Sequence, residues 1–395
     1  MTETITDDDV LLLRMRSLGL AGAASSGSGP AGTGTDASGA GRIAAIARHL
    51  LALQGQDWRS SRWALGVRAE RVAGAPAELA DVATALNSGA VVRSWPVRGT
   101  IHLLAAEDLG WMQAAAGARP LAGAAKRRAF LGIGDRTLDR LVEVSLAALR
   151  AGGERGLERD DLARAWSEAG IEWQSNWRYH LIWWLHQNGL AVFGPTDGEA
   201  EPRLVLAEGW IREPRTPADP LAELAARYTA ARGPVRTKDL AWWAGISAGE
   251  AKRGFEAAAE QGAVVRAQLA GVAGAAGTLW VSPGTLGSTA IVPEWLLLPA
   301  FDEHLLGYTV RDAQLDPAHF ERIVPGRNGM FLATVVHRGR VAGTWRRRTR
   351  AGGGIEATPL PGSRLDAAAL ADEHARWAAF HGLVPGPVEL AAPAA

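Results

Sequence analysis

The stretch "VVRSWPVRGTIHLLA", residues 91–105, decides the fold. It reads as a short β-hairpin that follows a set of helices. Upstream lie three helical patterns, near 42–53, 61–69 and 77–88. The same order recurs twice. Helices near 136–150, 158–169 and 176–188 precede "LAVFG" and "PRLVLAE" (202–208). Helices near 219–231, 236–244 and 248–261 precede "AVVRAQLAG" (263–271) and "GTLWVSP" (277–283). Three helices followed by a two-stranded wing is the winged-helix unit, found in nucleic-acid binders and in some protein-contact modules.

Beyond residue 290 the pattern changes to short strands: "AIVPEWLLLPAFDEHLLGYTV", "NGMFLATVVHRGRVAGTWRRR" and "GIEATPL". Turns are expected at Arg327-Asn328-Gly329 and Arg338-Gly339, and a last helix in "LDAAALADEHARWAAFHG". The expected fold class is therefore α+β: three tandem winged-helix units and a small C-terminal β-barrel or curled sheet closed by that helix. The expected boundaries are 1–125, 126–216, 217–289 and 290–395. At the other end, "TDDDVLLLRMRSLGL" (6–20) reads as a helix with Thr6 or Asp7 at its cap and acids in its first turn. Residues 21–41 are a Gly/Ser/Ala-rich loop. Its Gly27, Gly29 and Gly32 match a dinucleotide fingerprint only formally, since no strand precedes them.

Composition narrows the chemistry. With 395 residues, 47% of them apolar, two to four domains with ample core are expected. There is no cysteine, which removes disulfides, thiolate metal sites and Cys nucleophiles and fits a reducing compartment. The acidic start "TETITDDDV" is not a signal peptide, and no run of eighteen apolar residues exists to span a membrane. A bacterial cytoplasmic, nucleoid-associated location is expected. Net charge is zero, which leaves local patches to decide nucleic-acid binding. Of the 42 basic residues only Lys126, Lys238 and Lys252 are lysines. Arginine favours bidentate phosphate contacts, although a GC-rich genome accounts for most of such a bias. None of the three lysines sits where a desolvated Schiff-base amine would be expected. No G-x-S-x-G, H-E-x-x-H or P-loop occurs, and "DEH" (302–304) is too contiguous for three side chains to converge on a metal. No metal and no cofactor are expected.

One further stretch asks for an explanation. In "LLALQGQDWRSSRWALGVR" (50–68) an apolar helical run stops at Gln54 and Gln56, with Gly55 between them. In an extended segment residues i and i+2 point to one side, roughly 6.5–7 Å apart, so the two amides make a clamp for a water molecule. The alternative is that they satisfy free backbone groups where the helix ends.

Five motifs in order, "LLALQGQD", "VRSWPVRGTIHLL", "LAWWAGIS", "FDEHLLGYTVRD" and "GRVAGTWRRR", together resemble the AlkZ/YcaQ type of winged-helix DNA glycosylase over residues 6–385. The resemblance implies a C-shaped cradle for duplex DNA and a monofunctional excision of N7-alkylated purines. It extends to unhooking of interstrand crosslinks of the azinomycin type, in repair or self-resistance. It also implies a Gln, apolar, Gln or Asp catalytic motif, which falls on Gln54 and Gln56. Gly55 departs from the apolar middle position.

Further residues are weighed on their own patterns. Arg93, Arg98 and His102 alternate with apolar residues on the first wing and face either phosphate or cleft, or simply solvent. Asp302 and Glu303 either enter the cleft or form a turn with salt bridges. Arg327 and the run Arg346, Arg347, Arg348 are candidate phosphate contacts or plain solvated charge. Expected partners are double-stranded DNA carrying alkylated purines, with the protein a monomer. The competing reading is a non-enzymatic winged-helix transcription regulator, which more often has one recognition unit and a dimer interface.

Overall fold

In the computed structural model, which describes residues 3–23, 38–287, 290–348 and 353–392, the first hairpin pairs Val91–Val97 with Thr100–Ala105 in antiparallel register. Arg98 (φ 53°) and Gly99 (φ 66°) both occupy the left-handed region, as a two-residue type I′ turn demands. The register shifts between Ser94 and Val97, around Pro96, which has no N–H for the ladder.

This hairpin does not stand alone. Arg93 pairs with Phe193, joining it to the hairpin Ala191–Phe193/Leu204–Leu206. Leu53–Gln54 adds to the other edge by pairing with Leu103 and His102. The first two hairpins and the strand carrying Gln54 thus form one five-stranded sheet. The third hairpin, Val265–Leu269 with Thr278–Val281, gains Glu3–Ile5 as a parallel third strand. The helix Asp7–Ser17 follows, with Thr6 and Asp9 forming its capping box.

The nine helices that the repeats predict all form, from Gly39–Leu50 to Ala248–Glu260. Two more, Leu109–Ala116 and Ala118–Leu131, lie between the first hairpin and the second set. The core divides in two. Trp166, Trp177, Leu185 and Phe193 centre one cluster, and a larger cluster runs through the rest of the chain.

The C-terminal part corrects the expectation of a barrel. Its strands Trp295–Leu298, Thr334–His337, Arg340–Arg347, Ile355–Pro359 and Val388–Leu390 form an open five-stranded sheet in that order. Among the described residues its two edge strands do not pair with each other. The helix Ala367–Phe380 packs against the sheet through Trp377, whose ring meets Trp345 edge-on at 5.7 Å. A helix that buries one face removes the need to curl the sheet shut. Arg338-Gly339 turns a tight hairpin, with φ of 48° and 86°. Arg327-Asn328-Gly329 turns the chain without closing a hairpin: Arg327 (φ 51°) ends a 3-10 turn, Asn328 Oδ1 accepts from Met330 N at 2.9 Å, and irregular backbone leads on to Thr334. The Gly/Ser loop lies largely outside the described residues, as do Gly27, Gly29 and Gly32.

Candidate active site

The helix Gly39–Leu50 ends abruptly because Leu51 takes φ 65°, a conformation that costs a branched residue energy and must be held by its surroundings. Arg232 holds it. Its guanidinium is fully buried and donates to the carbonyls of Leu50 (2.9 Å) and Ala52 (2.8 Å), on either side of Leu51. Glu303 Oε2 neutralises it from 2.8 Å and also accepts from Trp243 Nε1 at 3.0 Å.

The chain then enters the sheet at Leu53–Gln54. Gly55 N donates to Ile101 O at 2.7 Å. Gly55 O accepts from Arg93 twice, Nε at 3.1 Å and Nη2 at 2.8 Å. A Cβ at Gly55 would lie 3.3 Å from the His102 backbone and 3.4 Å from Arg93 Nε, so the close approach explains the glycine. Gln54 is half-buried, and its Oε1 accepts from Arg98 Nη2 at 3.3 Å. Gln56 lies past the strand and is exposed. Asp57 next to it caps the helix Trp58–Ala73 by accepting from Ser60 N.

Gln56 lines a cavity of about 620 Å³ together with Trp58, Arg59, Trp345, Arg346, Arg347 and Trp377. Cations and aromatic rings side by side suit phosphate and base contacts. Glu199 and Glu201 share the wall, and Glu201 pairs with Arg93 and Arg159. A second cavity, about 600 Å³ and bordered by Arg150, Arg155 and Trp210, contains none of the residues singled out in the sequence.

The structure separates the predicted residues into a buried and an exposed set. Arg93 (2% exposed) and His102 (0%) lie inside the protein. His102 Nδ1 meets Thr100 O at 2.8 Å, and burial together with the Arg98 charge pushes its pKa well below the usual imidazole range. Asp302 is clamped bidentately by Arg68, at 2.8 and 2.9 Å. Burial alone would raise its carboxyl, but Arg68 holds it below the ordinary value. His304 points to Gly339 O, so the three side chains of "DEH" have three different partners. Arg327, Arg346 and Arg348 pair at the surface with Glu321, Glu356 and Glu389, while Arg347 faces the Gln56 cavity. Sequence reasoning did not single out Trp58, Arg59, Trp377, Arg68 or Arg232. Arg59 could have been found by its place three residues after Gln56. Arg232, 180 residues from Ala52, carries no local signal.

Gln56 in an arginine-lined cavity, Gln54 outside that lining at the strand end and a scaffold of fused hairpins and helices fit a protein that acts on a polyanion. The chain belongs to the AlkZ-like DNA glycosylase family, whose description is "DNA glycosylase AlkZ-like" and whose model matches residues 47–380. Its fold is similar to that of a solved DNA glycosylase AlkZ from Streptomyces sahachiroi, with a TM-score of 0.73. The likeness covers 98% of this chain and 100% of that one at 20% identity. No curated protein matches the sequence. The protein is thus a DNA glycosylase acting in DNA repair, and no helix among the described residues is long and apolar enough to cross a membrane.

Proposed function

We propose that the protein is a monofunctional glycosylase that hydrolyses the N-glycosidic bond of N7-alkylated purines in duplex DNA, with Gln54 and Gln56 holding the attacking water. The observation that carries this reading is that Gln56 opens into a cavity lined by arginines and tryptophans, while among the described residues most carboxylates of this region are engaged elsewhere and Glu199 alone on the cavity wall has no side-chain partner. Asp302 and Glu303 are locked to Arg68 and Arg232, Asp57 caps a helix, and Glu201 holds two arginines. A site whose amides outnumber its unpaired carboxylates suits a base that needs little help to leave. Alkylation at N7 makes the purine cationic. When the C1′–N9 bond breaks, its electron pair neutralises the departing base. The water oxygen bonds to C1′ and its surplus proton leaves to solvent, because an amide cannot retain it. The amides contribute position, which lowers the barrier by removing orientational freedom from the water.

Arg59, Arg346, Arg347 and Arg348 are the arginines this reading assigns to DNA phosphates. Exposure of Gln56 leaves room for bulky adducts. The reading therefore extends to interstrand crosslinks between N7-alkylated purines, of the azinomycin type that the sequence resemblance implies.

Single-turnover excision of N7-methylguanine from a duplex tests the assignment. Gln54→Ala and Gln56→Ala are each expected to lose about 10²–10³ in rate, the typical cost of a lost transition-state contact, with duplex affinity nearly intact. The double variant should be little slower than the worse single one, because the pair acts as a unit. Glu199→Gln should excise at the parent rate. A large loss there, with active alanine variants, would transfer the water-activating role to Glu199.

A further inference from the structure

We infer that Arg98 is a positioning residue: it fixes the side-chain amide of Gln54 with its NH2 group outward, so that Gln54 serves the water as donor and Gln56 as acceptor. This rests on the proposed role of the two glutamines. Three observations lead to it. First, Arg98 occupies a left-handed turn position (φ 53°) where Asn or Gly is ordinarily found. A strained residue at such a place persists only where its surroundings hold it. Here its N–H donates to Ala244 O at 3.3 Å, and its guanidinium lies 4.9 Å from the centre of the Trp242 ring.

Second, the guanidinium is poorly satisfied. Arg68 and Arg232 bind acceptors through Nε, Nη1 and Nη2. Among the described residues Arg98 has one side-chain hydrogen bond, to Gln54 Oε1, and its buried Nη1 meets no acceptor. A buried charged donor without a partner costs free energy, so fold stability does not account for this arginine. Burial also keeps Nη1 from meeting a duplex phosphate where it stands.

Third, the direction of the bond decides the amide. A guanidinium only donates, so the group of Gln54 that meets it is the carbonyl oxygen. No group among the described residues accepts from the Gln54 NH2. A water in front of the pair then accepts from Gln54 Nε2, gives a hydrogen to Gln56 Oε1, and turns its remaining lone pair toward C1′.

The test is a double-mutant cycle in single-turnover excision of N7-methylguanine, with duplex affinity and thermal midpoint measured in parallel. Arg98→Asn places a favoured residue in the turn, so its midpoint should be unchanged or higher. Its excision rate should nevertheless fall about 10- to 100-fold, as for a misplaced reacting group. In a Gln54→Ala background the same change should cost nothing further, because Arg98 acts only through Gln54. Gln54→Glu, which keeps the acceptor for Arg98 but loses the donor, should be as slow as Gln54→Ala. Additive losses in the cycle, or an Arg98→Asn variant with parent rate but weaker binding and a shallower salt slope, would make Arg98 a structural or phosphate-binding residue and overturn the inference. A Gln54→Ala variant at the parent rate would instead overturn the glutamine reading, and this inference with it.

Discussion

At the residue scale, Gly55 shows how little space separates the proposed catalytic segment from its support. The Gln-Gly-Gln pattern was legible because two amides flanking a glycine at a helix end are chemically odd. The reason for the glycine was not legible. It lies in Arg93 and His102, 38 and 47 positions away, whose contacts leave 3.3–3.4 Å for a Cβ. Neither neighbour yields easily, since the His102 backbone belongs to the sheet and Arg93 is tied to both Gly55 O and Glu201. Gly55→Ala should therefore shift the segment by a few tenths of an ångström. The overpacking is expected to cost about 1–3 kcal/mol and to slow excision. Urea unfolding and single-turnover rates would check both, and an alanine variant equal to the parent in each would show that the segment has slack. The same distances explain why Arg93 and His102, read from alternation as outward-facing candidates, lie inside. Period-2 patterning tells that one face is buried, but the strand Val91–Val97 is buried on both.

At the element scale, the buried Arg232–Glu303 pair joins pieces far apart in sequence. Arg232 ends the helix Pro220–Arg232, Glu303 begins the short helix Glu303–Leu306, and the carbonyls they serve end the helix Gly39–Leu50. Glu303→Ala leaves a fully buried guanidinium without its counter-charge. The expected loss is about 3–5 kcal/mol of unfolding free energy. Replacing both partners, as in Arg232→Met with Glu303→Leu, should recover much of the stability but not the geometry of the Gln54 segment, because the carbonyls of Leu50 and Ala52 lose their donor. Denaturation and excision measured on both variants would separate the two roles. If the double variant excised normally, the pair would serve stability alone. The helices themselves were largely legible from apolar periodicity and caps. Leu109–Ala116 and Ala118–Leu131 were not, because Gly110, Gly117, Pro120 and Gly123 punctuate their sequence like a loop. The C-terminal strands were legible as strands. Whether their sheet closes was not, since alternation fixes a strand's faces and says nothing of which edges meet.

At the scale of the whole molecule, the order of helices and hairpins could be read, but not their fusion. The single ladder contact Arg93–Phe193 makes two hairpins one sheet, and Glu3–Ile5 crosses the chain to reach Val265–Leu269. Such long-range pairings leave no periodic mark. They do bury histidines, and that gives the fold a common response to acid. His102, His186 and His304 are each at most 1% exposed, and burial pushes all three below the ordinary imidazole pKa. For His304 the folded value is about 4, with the Asp302 charge and the Gly339 carbonyl opposing burial. An unfolded histidine takes a proton near pH 6.5. Between that value and the folded one the unfolded chain binds more protons, so stability is complete above about pH 6.5 and declines as pH falls toward 4. The window lies above that of the Asp302–Arg68 pair. That carboxyl is depressed, so its contribution is lost only as pH falls below the ordinary carboxylate range. His304 alone should contribute roughly 2–3 kcal/mol to the fall between pH 7 and 4.5. Urea unfolding at both values, on the parent and on His304→Gln, should show a loss in the parent and a smaller one in the variant. Equal losses would mean that His304 titrates in the folded protein as it does in the open chain.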